Sequence, residues 1–104
     1  MFVNLTPRAL TIVKNDGSTT VLQPESTPAR VKVTRHVVKT VNAIDLYSAE
    51  YGEVENLPEI KHGVYYIVSL LVKSAVPYRN DLVSPGDLVR DENGNVIACK
   101  GLTL

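Results

Sequence analysis

Residues 29–41 alternate between apolar and polar side chains, and this feature restricts the fold more than any other. One side of an extended chain would carry an alanine and four valines, interrupted by Arg35 and Lys39, and the other side mostly polar residues. A period of two is that of a β-strand, because helical faces repeat every three to four residues. The pattern predicts a long strand with one buried face, and a turn near Asn42 would return the chain into a second strand, residues 44–51.

Two further turn signals each separate a pair of shorter strands. Asp16-Gly17 and Asn93-Gly94 both lie between runs rich in β-branched residues. Glycine accepts the positive φ that tight hairpin turns require, so each dipeptide predicts a hairpin. The predicted strands are residues 10–14 and 19–23 in the first hairpin, and residues 88–90 and 96–100 in the second.

The remaining elements are a central strand and one short helix. Residues 64–68 are a continuous apolar run of strand length, which predicts a strand buried on both faces. Ser69 could cap a short helix that Pro77 would end. Residues 52–63 and 77–87 are predicted to be irregular. With 29 β-branched residues among 104, the chain is predicted to be a single mainly β (α+β) domain, residues 1–104. We expect a small, partly open barrel or sandwich of six to eight strands with one helix near residues 69–76.

Charge and motif content restrict the possible functions. The formal net charge is zero, which argues against a nucleic-acid-binding surface, and no apolar run is long enough to cross a membrane. The single cysteine, Cys99, cannot form an internal disulfide and is predicted to lie in the core, so we expect a cytoplasmic location. No phosphate-binding or metal-binding motif is present, and His36 and His62 are not spaced like ligands. We therefore predict no metal, no cofactor and no catalytic residue.

The densest group of polar residues with binding chemistry lies towards the C-terminus. Arg79 and Arg90 could bind a phosphate or carboxylate, Asp81 could orient an arginine or accept from a ribose hydroxyl, and Ser69 marks a helix start. The alternative is that Arg79 pairs with Asp81, and Arg90 with Asp91, only to hold a loop. The sequence leaves both interpretations open.

Five segments of the chain form a recognisable series, namely Asn4-Leu5-Thr6-Pro7, Tyr51-Gly52-Glu53-Val54 with Leu57-Pro58, Tyr66-Ile67-Val68-Ser69, Arg79-x-Asp81-Leu82-x-x-Pro85 and Val89-Arg90-Asp91-x-x-Gly94. Together they resemble a family of short, mostly uncharacterised proteins of phages, prophages and other mobile elements. The resemblance covers nearly the whole chain, but it implies no activity. Within the first segment, histidine commonly follows Leu-Thr-Pro in this family, whereas this chain has Arg8, which cannot act as a base at neutral pH and is more compatible with binding.

The family resemblance places the chain among phage proteins, and by analogy with other small phage proteins we expect an accessory protein that sequesters a small anionic ligand, such as a nucleotide-type signal of host immunity. Such an anti-defence protein would bind its ligand without turnover, and we expect a homo-oligomer that encloses the ligand between subunits. One alternative is a protein-interaction module that blocks a host protein or serves as a virion accessory. Another is a small hydrolase that uses Asp81, Asp91 or Glu53. The predicted ligand-binding residues are Arg79, Arg90, Asp81, Ser69, Asn4, Thr6 and Arg8.

Overall fold

The computed structural model describes residues 1–104, which form eight strands and one short helix, as predicted for a mainly β chain. Six strands build a barrel-like sheet, and the other two form a separate ribbon. In chain order the elements are β1 (Phe2–Asn4), β2 (Leu10–Val13), β3 (Thr19–Leu22), β4 (Arg30–Val41), β5 (Ile44–Glu55), β6 (Tyr65–Ile67), α1 (Leu70–Ala75), β7 (Leu82–Arg90) and β8 (Val96–Thr103).

The six-stranded sheet has the order β1-β6-β7-β8-β2-β3 and nearly closes on itself. Its first and last strands approach each other at Asn4 and Pro24, which form a parallel bridge, and the amide of Glu25 donates to the carbonyl of Asn4 at 3.1 Å. Three of the pairings are parallel, namely β1 with β6, β6 with β7, and β2 with β8. The predicted central strand is confirmed in β6, which lies between β1 and β7.

The predicted hairpin turns are confirmed. Gly17 and Gly94 have φ of 86° and 82°, values that glycine adopts without steric cost. The amide of Lys14 donates to the carbonyl of Ser18 at 2.7 Å, and the amide of Asp91 donates to that of Asn95 at 2.9 Å. The turn between β4 and β5 also lies where it was predicted, at Asn42-Ala43, with φ of 50° and 63°. Each of these turns is determined by two to four neighbouring residues, which is why the sequence predicts its position.

The ribbon of β4 and β5 corrects the prediction of one buried face. Only the base of β4 reaches the core, where Ala29 and Val31 are buried, and residues 32–53 are all exposed. Period-two alternation distinguishes the two faces of a strand without saying what covers either of them. The second strand also continues to Glu55, through residues 52–55, which were predicted to be irregular.

Two apolar clusters lie on opposite faces of the barrel sheet. On the inner face, Ile67 pairs with Val83, and these residues pack with Ile12 and Cys99. On the outer face, a cluster of eight buried residues joins the sheet to α1 and to the base of the ribbon. Because neighbouring residues of a strand face opposite ways, β6 and β7 contribute to both clusters. The outer cluster consists of Leu5, Ala29, Val31, Tyr66, Val68, Val72, Val76 and Leu82.

The predicted loop at residues 77–87 is largely a strand, because β7 begins at Leu82 and continues through Pro85 and Gly86. A Cβ at Gly86 would collide with the carbonyl oxygen of Lys100, so glycine permits the close approach of β7 to β8. The predicted helix is confirmed over Leu70–Ala75. With six residues, it is too short to cross a membrane, and no other helix is present.

Candidate functional site

Arg79 and Asp81, two of the predicted ligand-binding residues, form an internal ion pair. Nε and Nη2 of Arg79 donate to the two carboxylate oxygens of Asp81, each at 2.7 Å, and Nη2 also donates to the carbonyl of Pro58 at 3.0 Å. These hydrogen bonds hold the pKa of Asp81 below its usual value, and the pKa of Arg79 is raised for the same reason. The pair anchors the irregular segment that precedes β6 to the segment that precedes β7.

Arg90 and Asp91 lie at the far end of β7 and do not pair with each other. Arg90 donates to the carbonyl of Gly94 at 2.9 Å, and Asp91 accepts from the amides of Asn93 and Asn95. Both side chains therefore hold the β7–β8 turn. The nine residues of β7 separate Arg79 from Arg90 by roughly 25 Å at strand spacing, so the structure does not bring the two arginines together.

Asn4, Thr6 and Arg8 form a compact turn at the edge of the barrel. The buried amide of Asn4 donates to the carbonyls of Arg8 and Leu22, both at 2.9 Å, and its oxygen accepts from the amide and hydroxyl of Thr6 at 2.9 and 2.6 Å. All four of these hydrogen bonds are internal. The turn therefore closes the barrel between β1 and β3, and the guanidinium of Arg8 forms no ion pair.

The other candidates also lie apart from one another. Ser69 caps α1 by accepting from the amide of Val72 at 3.2 Å. His36 lies on the exposed ribbon near Glu50, at 3.8 Å, whereas Cys99 is buried inside the barrel, as predicted. No three His, Cys, Asp or Glu side chains are close enough together to hold a metal ion. Of the three carboxylates proposed for hydrolysis, Asp81 and Asp91 have internal partners, and Glu53 is on the ribbon.

A cavity that the sequence did not reveal opens at one end of the barrel. It has a volume of about 630 Å³, and most of its lining is apolar. Phe2 and Tyr65, paired across β1 and β6, place their ring centroids 5.9 Å apart at its edge. The size and lining are typical of small-molecule sites, which often occupy the mouths of β-barrels. We call this cavity the barrel mouth, and its apolar wall is formed by Phe2, Tyr65, Ile12, Leu22, Val83 and Leu102.

Two lysines border the barrel mouth. Lys14 lines it directly, and Lys100 lines a depression of about 360 Å³ that shares Val13, Lys14, Asn15 and Gly101 with it. The parallel pairing of Val13 with Lys100 brings the two lysines to neighbouring strands. Neither lysine has a carboxylate within 4.0 Å. The barrel mouth therefore has an apolar wall with Lys14 in its lining, and the adjoining depression adds Lys100; neither lysine has a carboxylate partner in the protein.

Sequence reasoning missed the barrel mouth because parallel pairings create it. Phe2 and Tyr65 are far apart in the sequence, and neither flanking segment indicates that β1 pairs with β6. The available signal was Lys14, a basic residue at the end of an otherwise apolar strand and directly before a turn. In sequence alone that pattern is common at strand ends and points to no particular partner.

Comparison of the chain with protein-family models, with curated proteins and with solved structures gave no match.

Proposed function

We propose that the protein is a ligand-binding module whose site is the barrel mouth and whose ligand is a small amphipathic anion. The observation that carries the proposal is the contiguity of an apolar cavity with two unpaired lysines, Lys14 and Lys100. An apolar wall favours a flat hydrophobic body, and ammonium groups favour a phosphate or carboxylate at its end. The lining of the cavity contains no His, Asp, Glu or Cys side chain.

A nucleotide-type molecule belongs to this ligand class, since it joins a flat base to an anionic group. By analogy with other small phage proteins, the ligand would be a host immune signal, and the protein would have an anti-defence role in the host cytoplasm. The proposed ligand is of the type predicted from the sequence, but the proposed site is the barrel mouth and not the group around Arg79 and Arg90. Arg79 and Asp81 already bind each other, whereas the two lysines are free to bind an anion.

The test measures binding first with a fluorescent probe, anilinonaphthalene sulfonate, and then with a panel of cyclic and ADP-ribose-type nucleotides by native mass spectrometry. A Lys14→Gln/Lys100→Gln variant should weaken binding by about tenfold, since each exposed ion pair contributes up to roughly 1 kcal/mol. The matched control, Lys39→Gln/Lys61→Gln, removes the same charge at exposed positions outside the site and should bind like the wild type. Equal affinity in all three proteins would refute the site, and release of a chemically altered nucleotide would favour the hydrolase alternative.

A specific observation also favours the second candidate function, a protein-interaction module. The ribbon exposes many apolar side chains along its length, which monomeric proteins seldom do over a large contiguous area. Binding at the barrel mouth and contact through the ribbon involve different residues and are compatible with each other.

A further inference from the structure

The ribbon lacks the neighbours that normally stabilise a pair of strands. It is a sheet of β4 and β5 alone, so the outer edge of each strand has unpaired backbone groups. Residues 32–53 are exposed along its whole length beyond the base. An isolated two-stranded hairpin is only marginally stable in water, and free strand edges readily pair with another chain. Both outer edges of the ribbon are therefore sites at which a strand of another chain can pair.

An apolar stripe, interrupted by Arg35, continues from the core along one face of the ribbon. Val31, in the core, pairs with Val54 at the base, and the next pair on the same side of β4 is Val33 with Tyr51. Directly opposed residues share a face, so further out Val37 and Tyr47 extend the same stripe. The outer four residues are between 40% and 63% exposed, the range set by Val33 and Tyr51. Burying this stripe would stabilise the ribbon.

The two strands of the ribbon carry opposite charges. β4 contains four Arg or Lys residues and no carboxylate, and β5 contains four Asp or Glu residues and no Arg or Lys, so their formal charges are +4 and −4. Within the ribbon only Arg30 with Glu55, at 3.7 Å, and His36 with Glu50, at 3.8 Å, come into ion-pair range. The remaining charged residues of the two strands have no ion-pair partner within the ribbon. The basic residues are Arg30, Lys32, Arg35 and Lys39, and the acidic ones are Asp45, Glu50, Glu53 and Glu55.

This charge pattern selects the partner and the way it docks. We infer that the ribbon binds a second copy of this chain, with β4 of one copy pairing with β5 of the next. Pairing β4 with β4, or β5 with β5, would place like charges opposite each other, which is destabilising, whereas β4 beside β5 places opposite charges together. The inference is independent of ligand binding at the barrel mouth.

Pairing β4 with β5 of the next copy also determines the symmetry. It continues the antiparallel order β5-β4-β5-β4, and it is head-to-tail, since different surfaces of the two copies meet. Such contacts close into a ring when the rotation between copies permits it. A ring of three or four copies would have six or eight ribbon strands, enough for a small barrel with a side-chain-filled interior. The face that carries the apolar stripe and Arg35 would then line that interior.

The test measures the mass of the full chain in solution by light scattering and native mass spectrometry, at low and high salt. We expect a mass of three or more times 11.4 kDa at low salt, shifting towards one chain at high salt, because salt screens the edge charges. Reversing two charges of one strand, by Lys32→Glu/Arg35→Glu or by Glu50→Lys/Glu53→Lys, brings the formal charge of that strand to zero and should give a single-chain mass. Combining all four substitutions restores complementarity and should restore the ring.

Circular dichroism distinguishes loss of assembly from loss of folding, because each folded variant should retain the β spectrum of the barrel. A matched control, Lys61→Glu/Glu92→Lys, reverses exposed charges outside the ribbon and should leave the ring intact. A single-chain mass for the wild type at every concentration would overturn the inference. So would an oligomer that survives reversal of one edge, or a folded four-substitution variant that stays a single chain.

Discussion

Arg79 and Asp81 face each other across a bidentate ion pair whose two N···O distances are both 2.7 Å. Their side chains are only 12% and 7% exposed, so the pair lies largely out of water. Removing one partner of such a pair leaves the other charge buried without compensation. Arg79→Ala should therefore lower the free energy of unfolding by about 3 kcal/mol, as measured by urea denaturation.

The double variant Arg79→Met/Asp81→Leu separates a structural role of this pair from a ligand-binding one. With no charge left unpaired, it should recover much of the stability lost in Arg79→Ala. If the pair acts only in the fold, probe binding at the barrel mouth should remain as in the wild type. A stable double variant that no longer binds the probe would return Arg79 and Asp81 to the ligand site.

The same pair predicts how stability depends on pH. The hydrogen bonds from Arg79 lower the pKa of Asp81 in the folded state relative to its value of about 3.9 in an unfolded chain. A lowered folded-state pKa stabilises the protein above the unfolded value, and this stabilisation is lost as the pH falls through the folded value. The difference in unfolding free energy between wild type and Asp81→Asn should thus be constant from pH 7 to about 5 and shrink below about pH 4.

Asp16 provides the comparison for the pH experiment. Its pKa is also lowered, by hydrogen bonds from the side chain and amide of Ser18, but the group is fully exposed in a turn. Asp16→Asn should therefore change the pH profile much less than Asp81→Asn. Equal changes in the two profiles would mean that burial of the Arg79 pair does not govern acid stability.

The contrast between local and long-range structure explains what the sequence could predict. The turns at Gly17 and Gly94 depend on a few neighbouring residues, and both lie where their dipeptides indicated. The pairing of β1 with β6 joins Phe2 to Tyr65, and no local pattern encodes that register. The barrel was therefore predictable as a class of fold, but its strand order was not, and the barrel mouth depends on that order.

The ribbon shows a second limit of sequence patterns. Alternation in residues 29–41 correctly indicated a strand, but its apolar face meets the core only as far as Val31. Arg35 and Lys39 interrupt the apolar row, and these two charges were the available sign that the face leaves the core. Predicted site residues failed to converge for a related reason. Arg79 and Arg90 are close in the sequence, but an extended strand separates them.

Asn4 is expected to act in the fold, because its side chain satisfies four hydrogen-bonding groups of the turn that closes the barrel. Asn4→Ala would remove all four hydrogen bonds made by a buried side chain, at a cost of about 2 kcal/mol or more. Arg8→Ala should change stability by less than about 0.5 kcal/mol, since the turn uses only its backbone carbonyl. Urea denaturation of both variants measures the contrast. An Asn4→Ala protein of wild-type stability that fails to bind the probe would instead make Asn4 a ligand-binding residue.

Gly86 is expected to be the glycine of the barrel sheet least tolerant of a side chain. A Cβ there would collide with the carbonyl oxygen of Lys100 and lie 2.9 Å from that of Gly101, both on the neighbouring strand β8. The colliding atoms are backbone, so Gly86→Ala must push β7 and β8 apart, and we expect a loss of about 2–3 kcal/mol in thermal or urea unfolding. Gly52→Ala is the matched control, because its nearest atoms, in Lys32, are at 3.5 Å, and it should cost less than about 1 kcal/mol. Similar losses in the two variants would show that the approach of β7 to β8 is looser than the structure indicates.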